Sequence, residues 1–339
     1  MRFSTSAFAP ACTSPNHCEA DPLRLYPDAS GGEAAVTRYR VFPGMELDYR
    51  DVHARACREL RDGSGERLEI HHCLEGRVEY RQNGRYFYLS PGDLAVARTS
   101  SLPPDSRFPT GHYHGITVTI DPAAAPECLS CILSDVDVRP ATLMEKLCPG
   151  GTVFTARSSR RVKHVFSELY AVPEDIRKGY LKVKLLELLL FLSTLSPEDG
   201  QTPHGCTAAQ VSLAEQVKTC LLAEPDRTLT LKTLSQQFNV SEAQIKSSFT
   251  GVYGMSPAAY ARSQRMHGAA ALLRETDRTV LDIACQFGYD NASKFARAFR
   301  DVIGVSPREY RAGAEYDSCA PQLGEKPVSL SDADVERRI

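Results

Sequence analysis

Apolar and polar residues alternate along the first third of the chain and recur every three or four positions further on. From Val36 to about Ile120 the pattern is strand-like. The segment "RLEIHHCLEGRVEYRQNGRYFYLSPGDLAVAR" switches polarity at most steps, as a half-buried strand requires. Asn83-Gly84 separates two such runs and predicts a tight hairpin, because both residues tolerate positive φ. Pro91-Gly92-Asp93 predicts a turn before "LAVAR", and "GITVTID" supplies one more strand ending at Asp121. Several short strands with frequent turns imply a small antiparallel barrel or sandwich.

The period then changes. Ser158 to Tyr170 predicts a helix with Val162, Val165, Phe166 and Leu169 on one face. Pro173 fits the first turn of the next helix, which runs to about Leu195. In it Leu181, Leu185, Leu188, Leu192 and Leu195 form a heptad-like stripe. That stripe fits packing on the chain's own strands and pairing with a second copy equally well. "LSPEDGQTPHGCT" breaks the period and makes residues 196–207 a linker. Residues 208–311 read as helices throughout. The ends lack apolar periodicity: residues 1–33, rich in Pro, Ser, Ala and Gly, read as a loose arm. Residues 312–339, with six acids against three bases, read as a flexible acidic tail. The strand-and-helix body is then 34–195.

One phrase is written twice in the helical part. "GMSPAAY" at 254–260 returns as "GVSPREY" at 304–310, 50 residues later, and "TLKTLSQQF" (230–238) aligns with "TVLDIACQF" (279–287) at an offset of 49. The repeat therefore carries one inserted residue after Phe287. Each copy predicts a short helix, a tight turn and a second helix. Asn239-Val240 turns the first copy and Ser241 caps its second helix; Gly288-Tyr289-Asp290 turns the other, with Asp290 or Asn291 as cap. Gly254 and Gly304 suit left-handed helix ends; Ser256-Pro257 and Ser306-Pro307 suit helix starts.

Two helices joined by a tight turn describe a helix-turn-helix. The outward face of the first copy's second helix carries Gln244, Lys246, Ser247 and Thr250. The second copy offers Asn291, Ser293, Lys294, Arg297 and Arg300. Short polar and cationic side chains suit base edges and phosphates. A helix from about Pro257 to Arg274, roughly 27 Å long, would separate the copies by something near the ~34 Å of one DNA turn. Residues 211–311 hold 13 Lys or Arg against 10 Asp or Glu, a net of +3, which leaves −5 for the rest of the chain. The basic bias sits in the half expected on DNA.

These phrases resemble the DNA-binding domain of AraC/XylS-type transcription regulators. "DIACQFGYDNASKFARAFRDVIGVSPREYR" and "FTGVYGMSPAAYARSQRMHGAAALL" carry the resemblance over about 100 residues. It implies two helix-turn-helix motifs on one connecting helix, sequence-specific binding to double-stranded promoter DNA and, in many members, contact with RNA polymerase. Many members place an arginine where Ser247 stands, and an aromatic residue or histidine where Lys294 stands. Here the first copy's basic residue is Lys246.

"EIHHCLEGRVEY" and "YLSPGDLAVAR" resemble, more loosely, the cupin-like sensor barrels that precede such domains. The expected class is therefore α+β: an N-terminal antiparallel cupin-like β-barrel with a helical pair, then an all-α domain with two helix-turn-helix motifs. A small organic effector is expected in the barrel, with His71, Tyr80, Tyr86, Tyr88, His112, Tyr113 and His114 as candidate lining residues. A metal-binding cupin usually spaces two histidines by one residue. His71 and His72 are adjacent, so they face opposite sides of a strand, whereas His112 and His114 share a face. Neutral histidines are ordinary in strands, and neither metal nor cofactor is assigned.

Hydrophobic content of 42% and charged content of 24% are those of a soluble globular chain. Leu181 to Leu195 carries Lys182, Lys184 and Glu187, which a membrane span would not tolerate, and the N-terminus lacks the apolar run of a signal peptide. A cytoplasmic homodimer acting on DNA is the expectation. The eleven cysteines fit free thiols in a reducing compartment, and Cys128-x-x-Cys131 lacks the second pair of a zinc finger. The competing reading is a metal- or thiol-dependent cupin-type enzyme or sensor, with Cys73 or Cys128 as the thiol, fused to a DNA reader. No paired acids, phosphate loop or nucleophile elbow favour it, so no catalytic residue is assigned.

Overall fold

The computed structural model describes residues 20–24, 26–27, 31–59, 65–128, 132–133, 136–200, 205–223 and 229–313. Its strands are β1 Ala20–Arg24, β2 Tyr26–Pro27, β3 Gly32–Phe42, β4 Met45–Ala54, β5 Ala56–Arg58, β6 Leu68–Gly76, β7 Val78–Gln82, β8 Arg85–Leu89, β9 Leu94–Arg98, β10 Asp105–Arg107, β11 Tyr113–Ile120 and β12 Phe154–Ala156. The helices are α1 Pro140–Leu147, α2 Arg160–Ser167, α3 Arg177–Thr194, α4 Ala208–Ala223, α5 Leu231–Phe238, α6 Glu242–Tyr253, α7 Pro257–Glu275, α8 Val280–Gln286, α9 Ala292–Ile303 and α10 Pro307–Arg311. Two compact units result, residues 1–261 and residues 262–339. The first helix pair, α5 and α6, thus belongs with the strands, whereas composition places a boundary at 196–207. The cause is the β7–β8 hairpin: its Tyr86 and Tyr88 pack into the cluster formed by α4 and α6, and Tyr86 exchanges two backbone hydrogen bonds with Cys206.

The strands form an antiparallel seven-stranded sheet of order β1-β3-β4-β11-β6-β9-β12, a second sheet β10-β5-β2, and the hairpin β7-β8. The closed cupin-like barrel that the resemblance implies is not formed among the described residues. The small sheets pair within themselves instead of bridging β1 to β12, so the large sheet keeps two edges. Residues 20–24, expected in a loose arm, instead pair with β3 from Ala20↔Tyr39 to Arg24↔Ala35. Residues 1–19 of that arm, residues 314–339 of the acidic tail and Cys131 lie outside the described residues.

Alternation is the organising rule of the large sheet. Met45, Leu47 and Tyr49 of β4, Leu68 and Ile70 of β6, and Ile116, Val118 and Ile120 of β11 face one way. They join a single core with α1, α2 and α3. The leucine stripe of α3 is part of it: Leu181, Leu185, Leu188 and Leu192 are buried there, and Tyr49 donates its hydroxyl to the Leu169 carbonyl at 2.6 Å. The stripe is thus used inside the chain. Val36, Val52, Ala54, Cys73, Tyr80, Phe108 and Tyr113 form a second cluster under the small sheets. Between these residues run two bidentate ion pairs, Arg38 with Asp48 (2.8 and 2.8 Å) and Arg50 with Glu59 (2.6 and 2.8 Å). Pairs this buried add little net stability but penalise any register that separates them. At the hairpin tip Asn83 (φ 51°) and Gly84 (φ 72°) both adopt positive φ, as the sequence predicts.

His71 and His72 face opposite sides, as their adjacency predicts. The His72 ring stacks on Phe166, with centroids 4.2 Å apart, and its Nδ1 pairs with the Tyr170 hydroxyl at 2.8 Å. Burial brings its pKa down to about 4. The unfolded chain takes a proton near the ordinary pKa of about 6.5, well before the folded chain does. The stability this imidazole contributes is therefore complete above that value and is lost as pH falls toward 4, by about 3 kcal/mol. His72→Phe keeps a stacking ring and removes the titration. Denaturant melts between pH 4 and 7.5 are expected to show a shallower acid slope for the variant; parallel slopes would contradict the assignment.

Candidate nucleic-acid interface

The duplicated segments fold into duplicated geometry. In the first, α5 ends at Asn239 in the left-handed region (φ 52°), and Val240 N–H closes back on the Ser235 carbonyl at 3.1 Å. In the second, Gly288 (φ 78°) follows α8, and Tyr289 N–H closes on the Ala284 carbonyl at 2.9 Å. The offset of 49 therefore persists to Tyr289, and the inserted residue is Asp290. Ser241 then caps α6 by accepting from Gln244 N–H, while Asn291 caps α9 by accepting from Ser293 and Lys294 N–H. Of the two caps considered from sequence, Asn291 is the one used.

The buried faces repeat as well. Ile245, Phe249 and Val252 anchor α6, and Phe295, Ala298 and Phe299 anchor α9. Tyr260 meets Phe249 edge-on at 5.5 Å and 71°, and Tyr310 meets Phe299 at 5.7 Å and 73°. The tyrosine of each Gly-x-Ser-Pro-x-x-Tyr phrase is thus a lid on its own helix. With these rings fixed inward, the opposite faces turn outward: Gln244, Lys246, Ser247 and Thr250 on α6 are exposed, as are Ser293, Lys294, Arg297 and Arg300 on α9 and Asn291 at its cap. Asn291 Oδ1 is committed to the cap, which leaves its amide N–H groups for a ligand.

A helix-turn-helix domain family matches residues 234–313. The uncharacterized HTH-type transcriptional regulator YdiP of Escherichia coli is 35% identical over 275 residues, 77% of this chain and 88% of that protein. The chain belongs to the AraC/XylS-type transcription regulators. It is a DNA-binding regulator of that family. A putative AraC-like transcription regulator of Streptomyces lividans is 30% identical over 130 residues, 37% of this chain; the chain spans only 43% of that relative's length. Among solved structures, a probable AraC family regulator from Rhodopseudomonas palustris is 31% identical over 30% of this chain and 95% of its own, with a TM-score of 0.28.

The seven effector candidates of this regulator divide into three places. His71, Tyr80 and Tyr113 line one small cavity with Arg50 and Phe108, two residues the sequence reading missed. Its volume is about 10 Å³, room for no more than one water. His71 Nδ1 pairs with the Thr117 hydroxyl at 3.1 Å and its Nε2 lies 3.1 Å from Glu69. Arg50 Nε and the Tyr113 hydroxyl are buried without a hydrogen-bond partner. Tyr86 and Tyr88 instead face the α4 and α6 cluster, where Tyr88 donates to Glu79 at 3.1 Å. His112 and His114 stand outside the cavity: His112 is exposed and His114 lies beside Asp51. Strand alternation alone could not separate these sets, because it does not say which face each hairpin covers. The thiol reading loses its first candidate: Cys73 is buried, and burial pushes its pKa far above the thiol range.

Gly254 closes α6 at φ 77°, and a Cβ there would run into the Arg77 guanidinium, whose Nη2 donates to the Gly251 carbonyl at 3.0 Å. Gly254→Ala is expected to destabilise the chain by about 1–2 kcal/mol through left-handed strain and loss of that contact. Chemical denaturation measures it; an unchanged midpoint would show that neither constrains the fold.

Proposed function

We propose that the chain binds promoter DNA by inserting α6 and α9 into the major groove as the recognition helices of two helix-turn-helix motifs. The observation that carries this reading is the repeated frame: in both copies a left-handed turn, a side-chain cap and a tyrosine lid hold a polar face with cationic residues away from the core. On α9, Lys294, Arg297 and Arg300 supply the charge, with Ser293 and the Asn291 amide beside them. On α6, Lys246 is the only cation among Gln244, Ser247 and Thr250, so the first motif contributes more through hydrogen bonds. An Arg or Lys on a base edge specifies sequence, and one on a phosphate adds affinity without it.

The strand-rich part is read as the sensor. A compact organic effector with an acceptor group enters the cavity of Arg50, His71, Tyr80, Phe108 and Tyr113 and satisfies the unpaired Arg50 Nε and Tyr113 hydroxyl. The cavity must open to admit it. The same region bears on the first motif: Arg77 reaches the α6 backbone, and Lys218 of α4 donates to the Pro109 carbonyl at 3.2 Å. An effector that alters this contact shifts how α6 is presented.

A homodimer is assigned to α3. With Leu181, Leu185, Leu188 and Leu192 buried, its outer face still carries Val183 (62% exposed) and Leu190 (37%), in line with Ile176 (50%) at the N-cap, at steps of seven and seven. That is the repeat of a two-helix seam. RNA polymerase is the further partner proposed.

Three experiments test these assignments. In gel shifts with the DNA upstream of the chain's own gene, Lys294→Ala and Arg297→Ala are each expected to weaken binding by roughly tenfold or more, from about 1–3 kcal/mol per base contact. Unchanged binding would remove α9 as a recognition helix. Light scattering of Val183→Asp with Leu190→Asp is expected to give a monomer where the unmodified chain gives a dimer; identical masses would remove α3 from the interface. Thermal-shift screening of the full chain and of Tyr113→Phe against metabolites is expected to find a stabiliser whose effect falls in the variant.

A further inference from the structure

The face of the large sheet that carries the helices continues past Tyr49 to Asp51 and His53 on β4. Asp51 stands directly opposite His114 in the β4–β11 ladder, and Glu75 of β6 stands opposite His114 on its other side. The three nearest side chains converge. Asp51 Oδ1 lies 3.0 Å from His53 Nε2 and 3.3 Å from His114 Nδ1. One donor atom from each lies within 4.8 Å of the other two. Asp51 Oδ1 is buried and stands between the two ring nitrogens. The His53 and His114 rings are 5.2 Å apart and cross at 71°.

We infer that Asp51, His53 and His114 form a binding site for a divalent first-row transition metal, with zinc as the type ion. Donors at about 2.0–2.1 Å from a tetrahedral zinc lie about 3.3 Å from one another, which is the spacing around Asp51 Oδ1. Two imidazoles and a carboxylate suit zinc, cobalt or nickel and not the hard ions magnesium and calcium. The fourth position falls to water or to His112, whose ring centroid is 6.5 Å from that of His114. The access is right as well: the His53 side chain is 51% exposed, while Asp51 and His114 are 22% and 18% exposed. A metal thus reaches the site from solvent and meets two ligands already held by a strand ladder. The site lies on the opposite face of the sheet from His71, and it does not use the effector cavity.

The test is titration of the metal-stripped full chain with Co²⁺, followed by Zn²⁺ competition. The expected result is one equivalent of Co²⁺ bound at micromolar concentration, with visible d–d bands of a nitrogen–oxygen site and no near-ultraviolet thiolate band. Zinc should displace it. His53→Ala and Asp51→Asn are each expected to weaken binding ~10-fold or more. The largely exposed His53 guards against a loss caused by misfolding, which circular dichroism of both variants checks. Absence of binding at micromolar metal, equal binding by both variants, or a thiolate-to-cobalt band would each overturn the assignment.

Discussion

What the chain can present to a duplex depends on two short left-handed turns, each followed at once by a side-chain cap. At Asn239 and Gly288 the backbone reverses its twist, and Ser241 or Asn291 restarts it as a helix. A cap contributes only about 1 kcal/mol, far less than burying Phe249 or Phe299. Its importance is directional. The phenylalanines hold the second helix onto the core, and the turn and cap set which residues the helix shows outward. The inserted Asp290 changes the length of the turn and leaves the closing hydrogen bond and the cap in place.

The sheet follows a comparable rule. Strand alternation gives its two faces to different tasks: one buries leucines and isoleucines against α1, α2 and α3, and the other encloses ion pairs, tyrosines and His71. The enclosed face mixes apolar side chains with buried ion pairs and is nearly full, so any ligand entering it would have to displace contacts. The hairpin β7–β8 is the physical link, since Tyr88 belongs to the cluster of α4 and α6 while Tyr80 lines the cavity.

Much of this was legible in the sequence. The repeat, its glycines and its Ser-Pro starts predicted the helix pairs, because capping and φ preferences act over four or five residues and need no tertiary knowledge. Asn83-Gly84 predicted its hairpin for the same reason. Strand partners were not legible. Nothing in "LDYRDVHA" says that Asp51 will lie opposite His114, and nothing in "YFYL" says that Tyr88 will join the helices and not the cluster around Tyr80. The seven effector candidates were scattered for that reason. The open sheet in place of a closed barrel has the same origin, since closure depends on which distant edges meet. The α3 leucines showed an apolar stripe but not its partner; only the fold assigned them inward and left Val183 outside.

We propose that the two repeated helices read DNA together. Hydroxyl-radical footprinting of the full chain on a single half-site tests it most directly. Two protected windows are expected on one face of the duplex, about one helical turn apart. Protection confined to one window, or two windows on opposite faces, would contradict it.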